Sequence, residues 1–457
     1  MALKERYYPQ IFSPWKLNYV KPQQKKTELP TKMKDVKPVT LTPIEGKSQQ
    51  RIAKPYFSRC LRPSRDPHQF GFAAHFSVTD ALINIIDFAH RLLERGQCAV
   101  RILLLDFSSA FDTIIHKRLI QRMVDLGCPR WLVAWMVSFL SGRVRIVIIK
   151  DCQSERTVMT IGGPQGEILS PDLFTMETDD MIVDKVLQLL VKFADDSTVV
   201  ASVSNEQELD EYQESINDII RQCKEKGLIL NADKTKEIIV DFSRDQRITS
   251  SLPRTTMNGV AVERVTCEKL LGYQLTEDLK PHKHAEYRIK QANQRLFLLY
   301  RLKKLGLPHS LLSTFYEQGI RSILESASPV FHHALTVEDT EKFERIQRRA
   351  ERCINDNNVR VSLAARRQAA CDKHFEKLIN QESPLLPGRR KKENKRSASY
   401  VVDGQFQNPP TYSTKRYLSS FIPAQARVYN DSLNVNSTIQ KRTLIERKEG
   451  KLYSQKQ

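Results

Sequence analysis

The sequence predicts an α+β fold, and three observations carry that reading. RILLLDF (101–107) is a continuous apolar run ending in an acid, the pattern of a buried strand. LLVKFADDSTVVASV (189–203) reads as two strands joined at Ala194, Asp195 and Asp196. Directly after them the apolar spacing turns helical, with Leu209, Tyr212, Ile216, Ile219 and Cys223 on one face.

The remaining elements follow in chain order. Residues 1–60 are rich in Lys and Pro with little periodicity, and PVTLTPI (38–44) is one short strand. Ser77 can cap a helix that carries Ala81, Leu82, Ile85, Ile86, Ala89 and Leu92 at helical spacing and ends at Gly96. A helix over 113–126 is stopped by Gly127 and Pro129, and another covers 131–140. VRIVII (144–149) is a strand, and IGGPQGEILSP (161–171) is a loop that opens a helix near Ile168. Gly227 caps the amphipathic helix, KEIIVDF (236–242) is a strand, and KLLGYQL (269–275) reads as another. From 283 to 355 the chain reads as helices rich in Lys and Arg. Past Gln381 it becomes polar and basic, with GRRKKENKR at 388–396, a block expected to be solvated and mobile.

Composition narrows the function. The 457 residues suffice for a sizeable core, with 40% hydrophobic and 27% charged residues. A formal net charge of +19 and a pI near 9.5 point to a polyanionic partner, nucleic acid first and an anionic membrane surface second. The eight cysteines stand singly without CxxC spacing, which argues against zinc and suits a reducing compartment. No apolar signal segment follows MALKERYYPQ, and the best apolar run, WLVAWMVSFL, is about half a membrane span.

The acids carry the chemistry. Asp106 ends one buried strand, and Asp195 and Asp196 sit at a hairpin turn. A lone Asp–Asp pair is an ordinary polar turn. An acid closing an all-apolar strand is costly unless paired. If the hairpin packs beside the first strand, three carboxylates converge and repel one another unless cations intervene. Hard divalent ions such as Mg²⁺ prefer oxygen ligands, and two of them form the usual clamp for nucleotidyl transfer.

LLLDFSSAFDTI, GGPQGEILSPDLF, KFADD and LNADKTKEIIVDF occur in that order. Together they resemble the reverse transcriptases of LINE-like (non-LTR), jockey-like retrotransposons. The resemblance spans roughly residues 10–435. It takes in DVKPVTLTPI (35–44) and DPHQFGF (66–72) before the acids, the helical stretch 295–331 after them, and LLPGRR (385–390) and SFIPAQARVYN (420–430) beyond. It implies a right-hand polymerase: fingers over 1–100, a palm with an antiparallel sheet over 101–275, a helical thumb over 276–360 and a basic, partly disordered tail over 361–457.

The resemblance also implies roles, position by position. Asp106, Asp195 and Asp196 match the catalytic acids that hold two Mg²⁺ ions, with Mn²⁺ as a substitute. Phe111 matches the aromatic gate against a ribose 2′-hydroxyl; plain core packing is its other reading. Pro164, Gln165 and Gly166 match the loop against template and incoming nucleotide, with Gly166 allowing close backbone approach. Lys234 stands where such polymerases carry a lysine near the leaving phosphates, or else is a solvated turn residue. Gly272 resembles the primer-grip hairpin. Arg288, Lys290, Arg295, Arg301, Lys303 and Lys304 would track a phosphate backbone. The partners implied are an RNA template, a DNA primer and dNTPs, with no membrane and no zinc. The implied location is nuclear or cytoplasmic, and GRRKKENKR reads as an import signal or an RNA contact.

The chain departs from the family pattern in several places. Ala73 and Phe76 stand at positions where the family carries arginines, and Lys37 where an arginine precedes Pro38. Asp172, Met176 and Glu177 replace apolar or aromatic residues, and Glu167 adds a charge after Gly166. No endonuclease segment precedes the polymerase motifs, so a truncated element product is expected. Two functions stay open: an RNA-directed DNA polymerase, favoured by the three acids, and a non-catalytic nucleic-acid-binding remnant, favoured by Ala73 and Phe76. A third resemblance, of 285–333 to a module of AlkB-homologue tRNA-modification proteins, raises an oxygenase or methyltransferase. The ten histidines offer no His-x-Asp…His iron site, and no Gly-rich strand-to-helix turn is present.

Overall fold

The computed structural model describes residues 13–24, 36–96, 99–108, 111–163, 166–183, 185–242, 252–355, 360–383, 385–387, 405–407 and 413–433. The chain divides into two compact units, one of 1–81, 101–237 and 251–264, the other of 82–100, 238–250 and 265–457. The block 388–396 lies outside the described residues.

The first unit opens with β1 (Leu17–Gln24) and β2 (Val36–Leu41), an antiparallel pair, followed by α1 (Ile44–Leu61). The sequence reading of 1–60 missed both β1 and α1. The buried positions of α1 are Gly46, Gln50, Ala53, Phe57 and Leu61, which repeat at helical spacing but are mostly small or polar. Pro55 inside the helix hides it further. Next along the chain come α2 (Val78–Leu93), most of which belongs to the second unit, and then β3 (Ala99–Leu105), β4 (Phe107–Ser108), α3 (His116–Asp125) and α4 (Arg130–Leu140). β5 (Arg143–Ile149) lies parallel to β1 and pairs antiparallel with β6 (Cys152–Gln153) and β7 (Thr157–Met159).

After α5 (Ser170–Thr178) come β8 (Gln188–Phe193), β9 (Asp196–Val203), α6 (Glu206–Glu225), β10 (Ile229–Leu230) and β11 (Lys236–Val240). The hairpin of β12 (Thr256–Met257) and β13 (Val260–Ala261) then leads to β14 (Glu263–Arg264). The central sheet runs β14–β11–β3–β9–β8. β8 and β9 are antiparallel, whereas β11 and β14 are parallel. Tyr212, Ile216, Ile219 and Cys223 of α6 pack with Leu103, Leu105, Val199 and Ala201 of the sheet. That is the apolar face legible in the sequence. Beneath it Arg101 and Glu237, 1% and 0% exposed, pair at 3.2 Å, and Thr255 and Tyr212 complete the polar cluster.

In the second unit KLLGYQL is a hairpin, not one strand: β15 (Cys267–Leu270) and β16 (Tyr273–Thr276). Leu271 (φ 49°) and Gly272 (φ 85°) form its two-residue turn. Positive φ at both turn residues is the primed geometry that tight hairpins favour and a period-2 reading cannot see. The unit then builds α7 (His282–Lys304), α8 (His309–Phe315), α9 (Val337–Ile354) and α10 (Leu363–Asn380). His284 stacks on Tyr273 with ring centroids 4.3 Å apart, and Phe375 packs among Phe406, Phe421 and Tyr429. Among the described residues no helix is long and apolar enough to cross a membrane, and the seven described cysteines are free thiols.

Buried histidines make this unit acid-sensitive. Burial, then Arg288, pushes His284 down to about 3; burial, then Arg416, pushes His90 down to about 4. An unfolded histidine takes up its proton near pH 6.5. Between those values the unfolded state binds more protons, so stability falls as pH falls from 6.5. Asp87 works the other way: burial, against the pull of Arg91, raises it to about 6, so its folded form gains a proton first. The net of these three groups is an expected loss on the order of 2–3 kcal/mol by pH 5. Hydrogen-exchange protection of α7 amides at pH 7.5 and 5, corrected for intrinsic rates, checks this. Equal protection would contradict it.

Candidate active site

The site forms at one end of the central sheet. Asp106 follows the last residue of β3, and Asp195 and Asp196 stand at the tight turn between β8 and β9, whose last pair is Phe193 with Asp196. β3 and β9 are neighbours in the sheet, and the Asp106 charge reaches Asp196, so the turn and the strand end lie at the same end of the sheet. Ala194 takes φ 58°, a left-handed conformation that costs an alanine about 1–2 kcal/mol.

The electrostatics record the convergence. Asp196 is open to solvent on one side and crowded by protein on the other. That partial burial, then the charges of Asp195 and Asp106, push its carboxyl up to about 6. The Asp106 backbone is held from the 231–235 loop: its N–H donates to Thr235 Oγ1 (3.4 Å), and its carbonyl accepts from the Asn231 N–H (2.9 Å). From the same loop Lys234 Nζ reaches Asp106 Oδ2 at 3.2 Å. Among the described residues no group of three or more His, Cys, Asp or Glu side chains is drawn tightly enough to hold a metal ion as it stands. The donor set is nonetheless that of a hard divalent cation, since it offers carboxylate oxygens alone and their charges repel one another.

Phe111 is half-buried against the core, its ring 4.9 Å from that of Phe174. Its carbonyl accepts from the Gly163 N–H (2.6 Å), and the Ile114 carbonyl from the Gly162 N–H (2.7 Å). Gly162 (φ 89°) has no room for a side chain, because a Cβ would lie 2.8 Å from the Asp112 carbonyl oxygen. Pro164 and Gln165 lie outside the described residues. At Gly166 (φ 79°) a Cβ would fall 2.8 Å from the Thr40 carbonyl of β2, so its close approach is to the chain itself.

Glu167 is locked in place. It is 6% exposed, binds Arg143 Nη2, and accepts from Gln50 Nε2. Arg143 also donates to Asn18 Oδ1 (3.0 Å), and Gln50 Oε1 accepts from the Ile168 N–H (2.9 Å) and the Leu169 N–H (3.3 Å). The other charged departures are matched as well: Asp172 pairs with Lys54 (3.0 Å) and Glu177 with Arg118 (2.7 Å). Phe76 stands edge-on to Phe70 with centroids 5.3 Å apart. In the second unit, the Gly272 carbonyl accepts from Arg288 Nη2 (3.2 Å). Sequence reasoning missed Gln50 and Arg143, since a helix glutamine and a strand arginine carry no local signal of a partner 117 or 24 residues away.

The reverse transcriptase (RNA-dependent DNA polymerase) family profile matches residues 23–275, more than half of the chain. The chain belongs to the reverse transcriptase family. The RNA-directed DNA polymerase from mobile element jockey of Drosophila melanogaster is 26% identical over 288 residues, 61% of this chain and 30% of that protein. Its counterpart of Drosophila funebris is 26% identical over 265 residues, 56% of this chain and 28% of that protein. The chain thus spans about a third of the length of these relatives. Among solved structures, apo telomerase from Candida tropicalis aligns with a TM-score of 0.41 at 12% identity, over 82% of this chain and 69% of that one. The reverse transcriptase fold and the retrotransposon kinship expected from the ordered motifs are those of the family found.

Proposed function

We propose that the chain is an RNA-directed DNA polymerase that adds deoxynucleoside monophosphates to a primer 3′-hydroxyl on an RNA template. The convergence of Asp106 with Asp195 and Asp196 at one end of the sheet carries the reading. These three residues would hold two Mg²⁺ ions, which when bound lower the pKa of the 3′-hydroxyl and offset charge on the leaving pyrophosphate. Lys234 adds a cation beside them for the leaving phosphates. Phe111 excludes the ribose 2′-hydroxyl by bulk. The match of Pro164, Gln165 and Gly166 to the family motif assigns them to the template and incoming base, and the hairpin at Gly272 steadies the primer. Arg288, Lys290, Arg295, Arg301, Lys303 and Lys304 attract the nucleic-acid backbone, a contribution that weakens with salt.

One observation favours a second reading, a binding remnant without turnover. Phe76, where the family carries an arginine, is used for ring packing against Phe70 and offers no cation to a triphosphate.

Primer extension on an RNA template with dNTPs and Mg²⁺ decides between the two. The native chain is expected to extend and the Asp195→Asn/Asp196→Asn variant is not. Template–primer binding without extension by either would establish the remnant. For the gate, Phe111→Ala is expected to raise ribonucleotide relative to deoxynucleotide incorporation by about tenfold or more, read as the ratio of kcat/KM values. An unchanged ratio would leave Phe111 a core residue.

A further inference from the structure

We propose that the segment 66–71 braces the turn that carries Asp195 and Asp196, and that Gly71 is a positioning residue for those carboxylates. The inference rests on the polymerase reading for its catalytic consequence, and on the geometry alone for the brace.

The segment lies alongside β8 as a short parallel partner. Gln69 bridges Lys192; the Lys192 N–H donates to the His68 carbonyl (2.9 Å), and the Phe70 N–H donates to the Lys192 carbonyl (2.8 Å). Its start is pinned in the interior. Lys192, 1% exposed, directs Nζ to Asp66 Oδ2 (2.9 Å) and to the carbonyls of Thr178 (2.6 Å) and Met181 (2.7 Å). The Asp66 N–H donates to Asp179 Oδ1 (2.9 Å). Its far end meets the turn. A Cβ on Gly71 would lie 2.0 Å from the Ala194 nitrogen, 2.7 Å from the Phe193 carbonyl carbon and 3.0 Å from the Ala194 Cα. All three are backbone atoms, so no side chain can move aside. Arg65 Nη2 secures the Gly71 carbonyl at 3.2 Å.

The turn needs such a support. Ala194 is left-handed where glycine would be at ease, and a strained residue persists only where its surroundings over-determine it. The two acids follow it directly, so any shift of Ala194 moves both carboxylates. Gly71 touches no reacting atom. It acts by letting one backbone close on another, and displacements near 1 Å at reacting groups cost about 100-fold in rate.

Gly71→Ala in the full chain tests this with two readouts. Amide exchange of a peptide covering 188–203 is expected to speed by about tenfold or more, with α6 peptides unchanged. The kcat of primer extension is expected to fall about 100-fold, with dNTP KM and template–primer Kd within about twofold of native. A general packing defect would instead raise exchange throughout and weaken binding. Native exchange at the turn together with native kcat would overturn the brace. Should Gly71→Ala not fold, Arg65→Lys keeps the charge that faces Asp179 and Asp172 but removes the guanidinium nitrogen that bonds the Gly71 carbonyl, and it is expected to change both readouts in the same direction; no change in either would overturn the proposal. If the native chain shows no extension, the polymerase reading falls, while the exchange data still judge the brace.

Discussion

Replacing Asp106 by asparagine is expected to lower primer extension by about three orders of magnitude while leaving the fold intact. The loss follows from charge. Asparagine keeps the shape and the backbone hydrogen bonds to Asn231 and Thr235, but it removes one of three carboxylates that would hold the metal ions. Losing a group that stabilises developing charge costs about 10²–10³ in rate, and losing a metal's share costs several kcal/mol. The fold barely depends on this side chain. Its one ion pair among the described residues is to Lys234, with the two side chains 38% and 65% exposed, and such surface pairs contribute about 0–1 kcal/mol. The thermal midpoint is therefore expected within about 3 °C of native. Removing the Asp106 charge also relieves Asp196. Single-turnover extension and a melting curve on the same preparation check both halves. An active Asp106→Asn variant would remove this residue from the catalytic set.

Glu167→Ala is expected to destabilise the first unit by about 3–5 kcal/mol, the largest stability effect anticipated for a single change. The carboxylate and the Arg143 guanidinium are 1% and 2% exposed, so truncating one leaves the other buried and uncompensated. Gln50 loses a partner at the same time. Urea unfolding measures the loss. Arg143→Met/Glu167→Leu is expected to recover most of it, because removing both charges removes the buried mismatch. Equal destabilisation by the single and double variants would show that the charges do not act as a pair. The prediction also reclassifies a departure from the family pattern. Glu167 adds a charge after Gly166 that the family pattern lacks; with Arg143, Gln50 and Asn18 around it, that charge anchors residue 167 to β1, β5 and α1. Asp172 and Glu177 meet Lys54 and Arg118 in the same way.

Much of the fold was legible because period and punctuation are local. The apolar run of β3, the face of α6 and the stops at Gly127 and Gly227 each depend on residues within one element. The kinship was legible because four motifs recur in order. The helix α1 was not, since its buried face uses Gly46 and Gln50 in place of large apolar residues. Periodicity read the hairpin at Leu271 and Gly272 as one strand, because its turn geometry is set by φ and not by hydropathy; the family resemblance alone pointed to a hairpin there.

By itself the sequence determined β3, β8, β9 and α6, the family and the positions of the three acids, because each is written in neighbouring residues. Only the tertiary structure decided what surrounds the acids. It brought Lys234 to Asp106, set Gly71 against the backbone of Ala194, and closed Glu167 between Arg143 and Gln50. Those partners lie far apart along the chain. Their pairing follows from burial, where an unmatched charge or a single added methyl is costly, and that cost has no local trace in the sequence.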